Sequence, residues 1–207
     1  MKIKKRLLIA VFFGLILLNF GCTRNFIFEV PSSAQANHSN KIPSAVALFL
    51  SSDYCDYSYK TTANGETWIF NLGPTLCDYS KTIIQQAFTR SLVVMEKNNI
   101  DKDKIDLIIT PKVVDTSVYF RPGIPAKAIS MIVVEWVIVD KNGEIVYMTS
   151  NEGNGLYAKV FGARHTTYLQ ESVQMALNDL FNKSYNEFIS SQELLRFAKL
   201  SGQGDKP

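Results

Sequence analysis

Residues 127–139 (KAISMIVVEWVIV) place the tightest constraint on how this 207-residue chain folds. Ala128, Ser130, Ile132, Val134, Trp136 and Ile138 alternate with Met131, Val133 and Val137. A period of two puts the first set on one face of a strand and the second on the other. Both faces are rather apolar, which predicts a central strand. Asp140-Lys141-Asn142-Gly143 follows as a tight turn into a strand at 144–150. Upstream, 105–109 (IDLII) and 112–120 (KVVDTSVYF) read as one strand, interrupted or bent near Pro111. Arg121-Pro122-Gly123-Ile124-Pro125 turns the chain back. Together these segments predict an antiparallel meander.

The flanking segments supply the other layer. Residues 44–50 (SAVALFL) suit a buried strand, and 54–60 with 66–71 suit a hairpin around Ala63-Asn64-Gly65, with Trp68 and Phe70 on one face. Gly73-Pro74-Thr75 starts a helix, since Pro is tolerated in the first turn. Its apolar and small residues recur at three and four from Leu76 through Ile83, Ile84, Ala87, Phe88 and Leu92 to Met95, and Asn98-Asn99 ends it. Residues 151–166 are Gly-rich and carry no clear period. A second helix holds Leu169, Val173, Ala176, Leu177, Leu180, Phe181 and Phe188 in register. Ser190-Ser191-Gln192-Glu193 restarts a short third helix with a capping box. The expected class is α+β: a mainly antiparallel sheet with two long helices packed on one face.

The chain opens MKIKKRLLIAVFFGLILLNFGC. Lys2, Lys4, Lys5 and Arg6 precede an apolar run from Leu7 to Leu18, too short for a comfortable membrane span and of the length of a signal h-region. Gly21 directly before Cys22 resembles the lipobox of bacterial lipoproteins, with Asn19 where that family usually carries Leu. The resemblance implies cleavage after residue 21, acylation of Cys22 and a lipid anchor. Thr23, rather than Asp, after the cysteine implies the outer membrane, with the domain facing the periplasm. An uncleaved signal anchor and an ordinary cleaved signal are the alternatives. The organisation expected is a signal peptide at 1–21, a flexible tether at 22–42, one periplasmic domain at 43–200 and a disordered tail at 201–207. Removing residues 1–21 takes four of the 22 basic residues and none of the 19 acidic ones, leaving a net charge of −1. The apparent basicity is therefore targeting information and gives no support for binding nucleic acid.

The tetrapeptide CDYS occurs twice, at Cys55-Asp56-Tyr57-Ser58 and Cys77-Asp78-Tyr79-Ser80. No C-x-x-C or His ligand accompanies either copy, so a metal site or a thioredoxin-type pair lacks its spacing. The flanks differ, which argues against a repeat. With Cys22 acylated, two cysteines remain, and in an oxidising compartment they read as a disulfide. Two buried free thiols are the alternative.

Other chemistry is sparse. No nucleophile elbow and no P-loop occur, and Gly153-Asn154-Gly155 lacks the third glycine of a dinucleotide loop, where Ala158 stands. His165, beside Arg164, reads as a helix-start surface residue. Asp101, Asp103 and Asp106 are interleaved with lysines and do not form an EF-hand pattern. No catalytic group, cofactor or metal is expected. Trp68-x-Phe70-x-Leu72-Gly73-Pro74 and Glu135-Trp136-x-x-Val139-Asp140-x-x-Gly143-x-Ile145-Val146 carry a further resemblance over residues 44–189. It is to small periplasmic lipoprotein domains, among them ABC-transport auxiliary lipoproteins and the TolB-N-terminal-like lipoproteins that activate penicillin-binding proteins. No functional residue carries over. Tyr119, Phe120 and Arg121, at a hairpin tip, have the composition of a protein contact. The sequence thus predicts a non-enzymatic, membrane-anchored accessory or adaptor subunit with an envelope protein partner. The alternative is a lipid or lipopolysaccharide carrier with a cavity between helices and sheet.

Overall fold

The computed structural model describes residues 23–29, 41–63, 66–159 and 164–201. In chain order the elements are β1 (Thr23–Ile27), β2 (Ile42–Phe49), α1 (Ser52–Cys55), β3 (Ser58–Ala63), β4 (Glu66–Asn71), α2 (Gly73–Ala87), β5 (Phe88–Val94), β6 (Leu107–Arg121), β7 (Ala126–Asp140), β8 (Ile145–Lys159), α3 (His165–Ser190) and α4 (Gln192–Ser201). Cys22 and the segments 30–40 and 202–207 lie outside the described residues.

The fold is α+β, but its sheets are mixed rather than mainly antiparallel. A five-stranded sheet has the order β5-β2-β6-β7-β8, and a three-stranded sheet the order β1-β4-β3. β2 pairs in parallel with both β5 and β6, and β1 in parallel with β4. The physical reason is the connections. The predicted meander β6-β7-β8 is joined by short turns and is antiparallel. The chain from β2 to β5 instead runs through α1, β3, β4 and α2, a crossover long enough to bring it back in the same direction.

β7 is an interior strand between β6 and β8, but only its even-numbered face is fully buried. Ala128, Ser130, Ile132, Val134, Trp136 and Ile138 are all buried. β6 runs unbroken through Pro111, and its irregularity lies between Val113 and Asp115 instead. β2 pairs only with Leu107 to Ile109 of β6, so Pro111 falls beyond that stretch, where a missing N–H costs little.

Two other expectations are corrected. The helix from Gly73 stops at Ala87, and Phe88 turns extended (φ −118°, ψ 152°). Phe88, Leu92 and Met95 keep helical spacing, yet FTRSLVV pairs along β2 as β5. Short apolar runs fit either period, and the available strand edge decides. The start of the expected tether is also structured. Thr23–Ile27 is a strand on β4, Phe26 stacks on Phe70 at 4.8 Å, and Thr75 Oγ1 donates to the Phe28 carbonyl at 2.7 Å. The aromatic pair Phe26 and Phe28 holds this segment down: both are buried in an otherwise polar stretch. The long helices number three among the described residues, of 15, 26 and 10 residues.

Residues 151–159 of the Gly-rich segment form the second half of β8. A Cβ on Gly155 would collide with the Ser172 carbonyl, and one on Gly153 with that of Ala176. The two glycines let α3 lie close on the sheet. Across that contact Ser130 and Ser172 hydroxyls meet at 2.7 Å, and the Trp136 indole N–H donates to Ser184 Oγ at 3.2 Å. Ser191 caps α4, accepting from the Leu194 N–H.

This packing makes a direct prediction. Gly155→Ala forces α3 off the sheet and lowers stability by about 1–3 kcal/mol, the usual cost of overpacking. Chemical denaturation checks it, and an unchanged midpoint would mean the helix shifts freely.

Candidate functional site

Cys55 closes α1 and Cys77 stands in the second turn of α2. They are joined by a disulfide, with Cα atoms 5.4 Å apart and a sequence separation of 22. The neighbouring contacts explain the approach. The N–H groups of Leu72 and Gly73 both donate to the Tyr57 carbonyl, and a Cβ on Gly73 would strike the Cys55 carbonyl. Tyr54, fully buried beside them, shares a 2.9 Å hydrogen bond with Ser80, and burial pushes its hydroxyl pKa up. The bond is a staple between α1 and the head of α2. Closing a loop of this length stabilises by about 3 kcal/mol in the chain-entropy model. Peptide mapping without reductant should find Cys55 linked to Cys77, and reduction should lower the unfolding free energy by about that amount.

The three tip residues fare differently. Tyr119 is 62% exposed, and Arg121 is exposed opposite Lys127. Phe120 is turned inward: its ring lies 4.5 Å from that of His165 and 5.8 Å from that of Tyr168. Phe120 therefore has an intradomain role, and only its two neighbours face outward. His165 is an exposed helix-start residue, as expected.

Behind the tip lies an open cleft of about 480 Å³ lined by Arg24, Glu66, Arg164, His165 and Thr166. Arg24 Nη2 donates to Glu66 Oε1 at 3.3 Å, and the Trp68 indole N–H to Glu66 Oε2 at 3.1 Å. These bonds, Trp68 first, hold the Glu66 carboxyl below its ordinary pKa, with a further pull from His165. A smaller cleft of about 310 Å³ lies between α1 and the β6 edge, lined among others by Tyr54, Tyr57, Pro111 and Val113.

The helices cover one face of the β6-β7-β8 sheet. The other face carries the odd-numbered side chains of β7. In register across it stand Thr110, Val137 and Met148, then Ile108 and Val139; Ile145 pairs with Val139 beyond an irregularity in the β8 register. Met148 is 57% and Ile145 65% exposed. At the far end of the same face Tyr119, Ile129 and Leu156 form another apolar row, and Lys112, Asp115, Glu135 and Glu152 lie between. Sequence pattern showed β7 to be apolar on both sides. It gave no signal that one side would lack a covering layer among the described residues.

Among the described residues no group of three or more His, Cys, Asp or Glu is placed to hold a metal ion. Asp101 instead binds Lys104 at 2.7 Å, and Asp106 accepts from the Ala45 N–H. No helix among the described residues is long and apolar enough to cross a membrane.

No family model and no curated protein matches this chain. Solved structures do match. One, from Xanthomonas campestris and of the family DUF330, is 9% identical with a TM-score of 0.48, over 88% of this chain and 99% of that one. Another, the minor lipoprotein of Acinetobacter baumannii, is 13% identical with a TM-score of 0.43, over 73% and 94%. At such identity neither brings a function to this chain.

Proposed function

We propose that this chain is a lipid-anchored protein of the cell envelope, acylated at Cys22, held at the outer membrane and facing the periplasm. It acts as a non-enzymatic adaptor that docks a protein partner. The observation that carries the reading is the uncovered sheet face, and in particular the row of Val137, Val139, Ile145 and Met148 at its end remote from β1. Exposed contiguous apolar surface of this kind marks a protein contact. β8 runs from Ile145 to Lys159, so the patch stands roughly 45 Å from the end of the molecule where the chain meets Cys22. That distance suits a protein gripping the membrane at one end and a partner at the other.

The carrier alternative requires room between helices and sheet. That space is filled by Leu169, Val173, Ala176, Leu177 and Leu180 of α3 against Ile132, Val134 and Trp136 of β7, all buried. This packing favours the adaptor reading over the carrier.

Two outcomes test the proposal. Cys22→Ser should release the protein from the membrane fraction or leave its leader uncut, and fatty-acid labelling should mark only the parent. An unlabelled parent with an intact leader would favour a signal anchor. For the docking face, Ile145→Glu with Met148→Glu should change stability by no more than about 0.5 kcal/mol, as expected at exposed positions. It should also abolish recovery of a stoichiometric partner from detergent-solubilised envelopes. Undiminished recovery would remove this face as the docking site.

A further inference from the structure

Five chain segments meet at the end of the molecule opposite that patch. They are the starts of β1, β4 and α3, the β6–β7 tip and the end of β8. Register and contacts bring them together. Arg121 stands opposite Lys127, and Ala126 opposite Lys159. Phe120 packs on His165, and Arg24 shares its cleft with Arg164 and His165. Arg24, Arg121, Lys127, Lys159 and Arg164 are all exposed there. Glu66 is the acidic side chain lining the cleft, and Arg24 already pairs with it. Ile124, 83% exposed, projects from the tip among these cations.

So many like charges at one end repel one another, and salt screens them only beyond ~8–10 Å. The arrangement matches an anionic surface that also accepts an apolar side chain. The chain path says which surface. Thr23 is the first residue of β1, so Cys22 and Arg24 are separated by at most ~7 Å of backbone. This step rests on the anchoring of Cys22 proposed above. With the thiol acylated, Arg24 cannot leave the headgroup layer.

We propose that this end is a membrane-contact surface. The cleft of Arg24, Arg164 and His165 receives the phosphate of an anionic phospholipid in the same bilayer, and Arg121, Lys127 and Lys159 rest on neighbouring headgroups. Guanidinium groups suit phosphate because their N–H pairs bind two oxygens at once. Ile124 enters the interface beside them, as apolar side chains flanked by cations do. Each basic residue near such a surface adds on the order of fivefold to partitioning. The contact would fix the domain's orientation, which a lipid anchor alone leaves free, and point the Ile145–Met148 patch away from the membrane.

The test uses the full chain purified from membranes and reconstituted in vesicles of phosphatidylcholine, with or without phosphatidylglycerol. Amide hydrogen exchange at 119–127 and 164–168 should slow about fivefold or more in the anionic vesicles, and the effect should vanish at high salt. Arg121→Glu with Lys127→Glu and Arg164→Glu should abolish it, with exchange in β7 unchanged as the check on folding. Lys141→Glu, at the other end, should leave it intact. Equal exchange in the two vesicle types overturns the site. So does protection by inorganic phosphate in neutral vesicles, which would mark a free-anion cleft, or protection that appears only when envelope proteins are added. The intact mass of the same sample reads the anchor separately. Anionic protection without acyl groups on Cys22 would end the anchoring proposal and keep the headgroup site.

Discussion

The close seating of α3 on β7 and β8 is the contact on which the rest of the molecule depends. It needs two glycines where the helix backbone touches the strand, and small hydroxyl side chains where helix and sheet face each other. Ser130 with Ser172, and Trp136 with Ser184, satisfy polar groups that are fully enclosed in this interface. Outside the glycines, Asp179 accepts from the Asn154 N–H and Lys183 donates to the Glu152 carbonyl, so α3 also occupies part of the free edge of β8. One helix thus covers a face and blunts an edge. Among the described residues no helix covers the opposite face of β6 to β8, and this part of the fold is two-sided as a result.

A second set of contacts ties the smaller sheet to this core. The Cys55–Cys77 bond, the buried Tyr54–Ser80 pair and the stack of Phe26 on Phe70 fix β1, β3 and β4 around α2. Their consequence is positional. They set the first described residues of the chain beside the starts of β4 and α3, which carry Glu66, Arg164 and His165. The other end of the large sheet holds Asp101, Asp103, Asp106, Asp140 and Glu144, interleaved with lysines. Charge is therefore distributed by end, although the net value of the chain after residue 21 is close to zero.

Much of the fold was legible where residues alternate strongly over long stretches. β7, its two turns and the buried face of α3 follow from period alone, because cost and gain there are local: each misplaced apolar side chain would lose its own burial. Legibility failed at Phe88–Val94, where seven residues satisfy both periods and the edge of β2, remote in sequence, settles the matter. It failed again at 151–159. Glycine carries no hydrophobic signal, so a strand built to let a helix approach looks like a loop. The tether reading failed at its start because Phe26 and Phe28 find their partners in β4 and α2, more than forty residues on. For the candidate sites, the tip at 119–121 was visible as composition. The cationic cleft was not, since Arg24 and Arg164 are separated by most of the chain.

By itself the sequence determined the leader-like start, the α+β class and the meander with its interior strand, and it narrowed the two cysteines left once Cys22 is set aside to a disulfide or two free thiols. Each of these depends on residue type or on neighbours a few positions apart. Only the tertiary structure decided that the sheets are mixed, which face of β7 is left bare, and that Phe120 turns inward while Tyr119 does not. It also decided that basic residues scattered from position 24 to 164 share one end. Those are properties of which elements come to lie beside one another. Strand pairing and helix seating over long loops are fixed by summed burial and backbone hydrogen bonding, which no local pattern records.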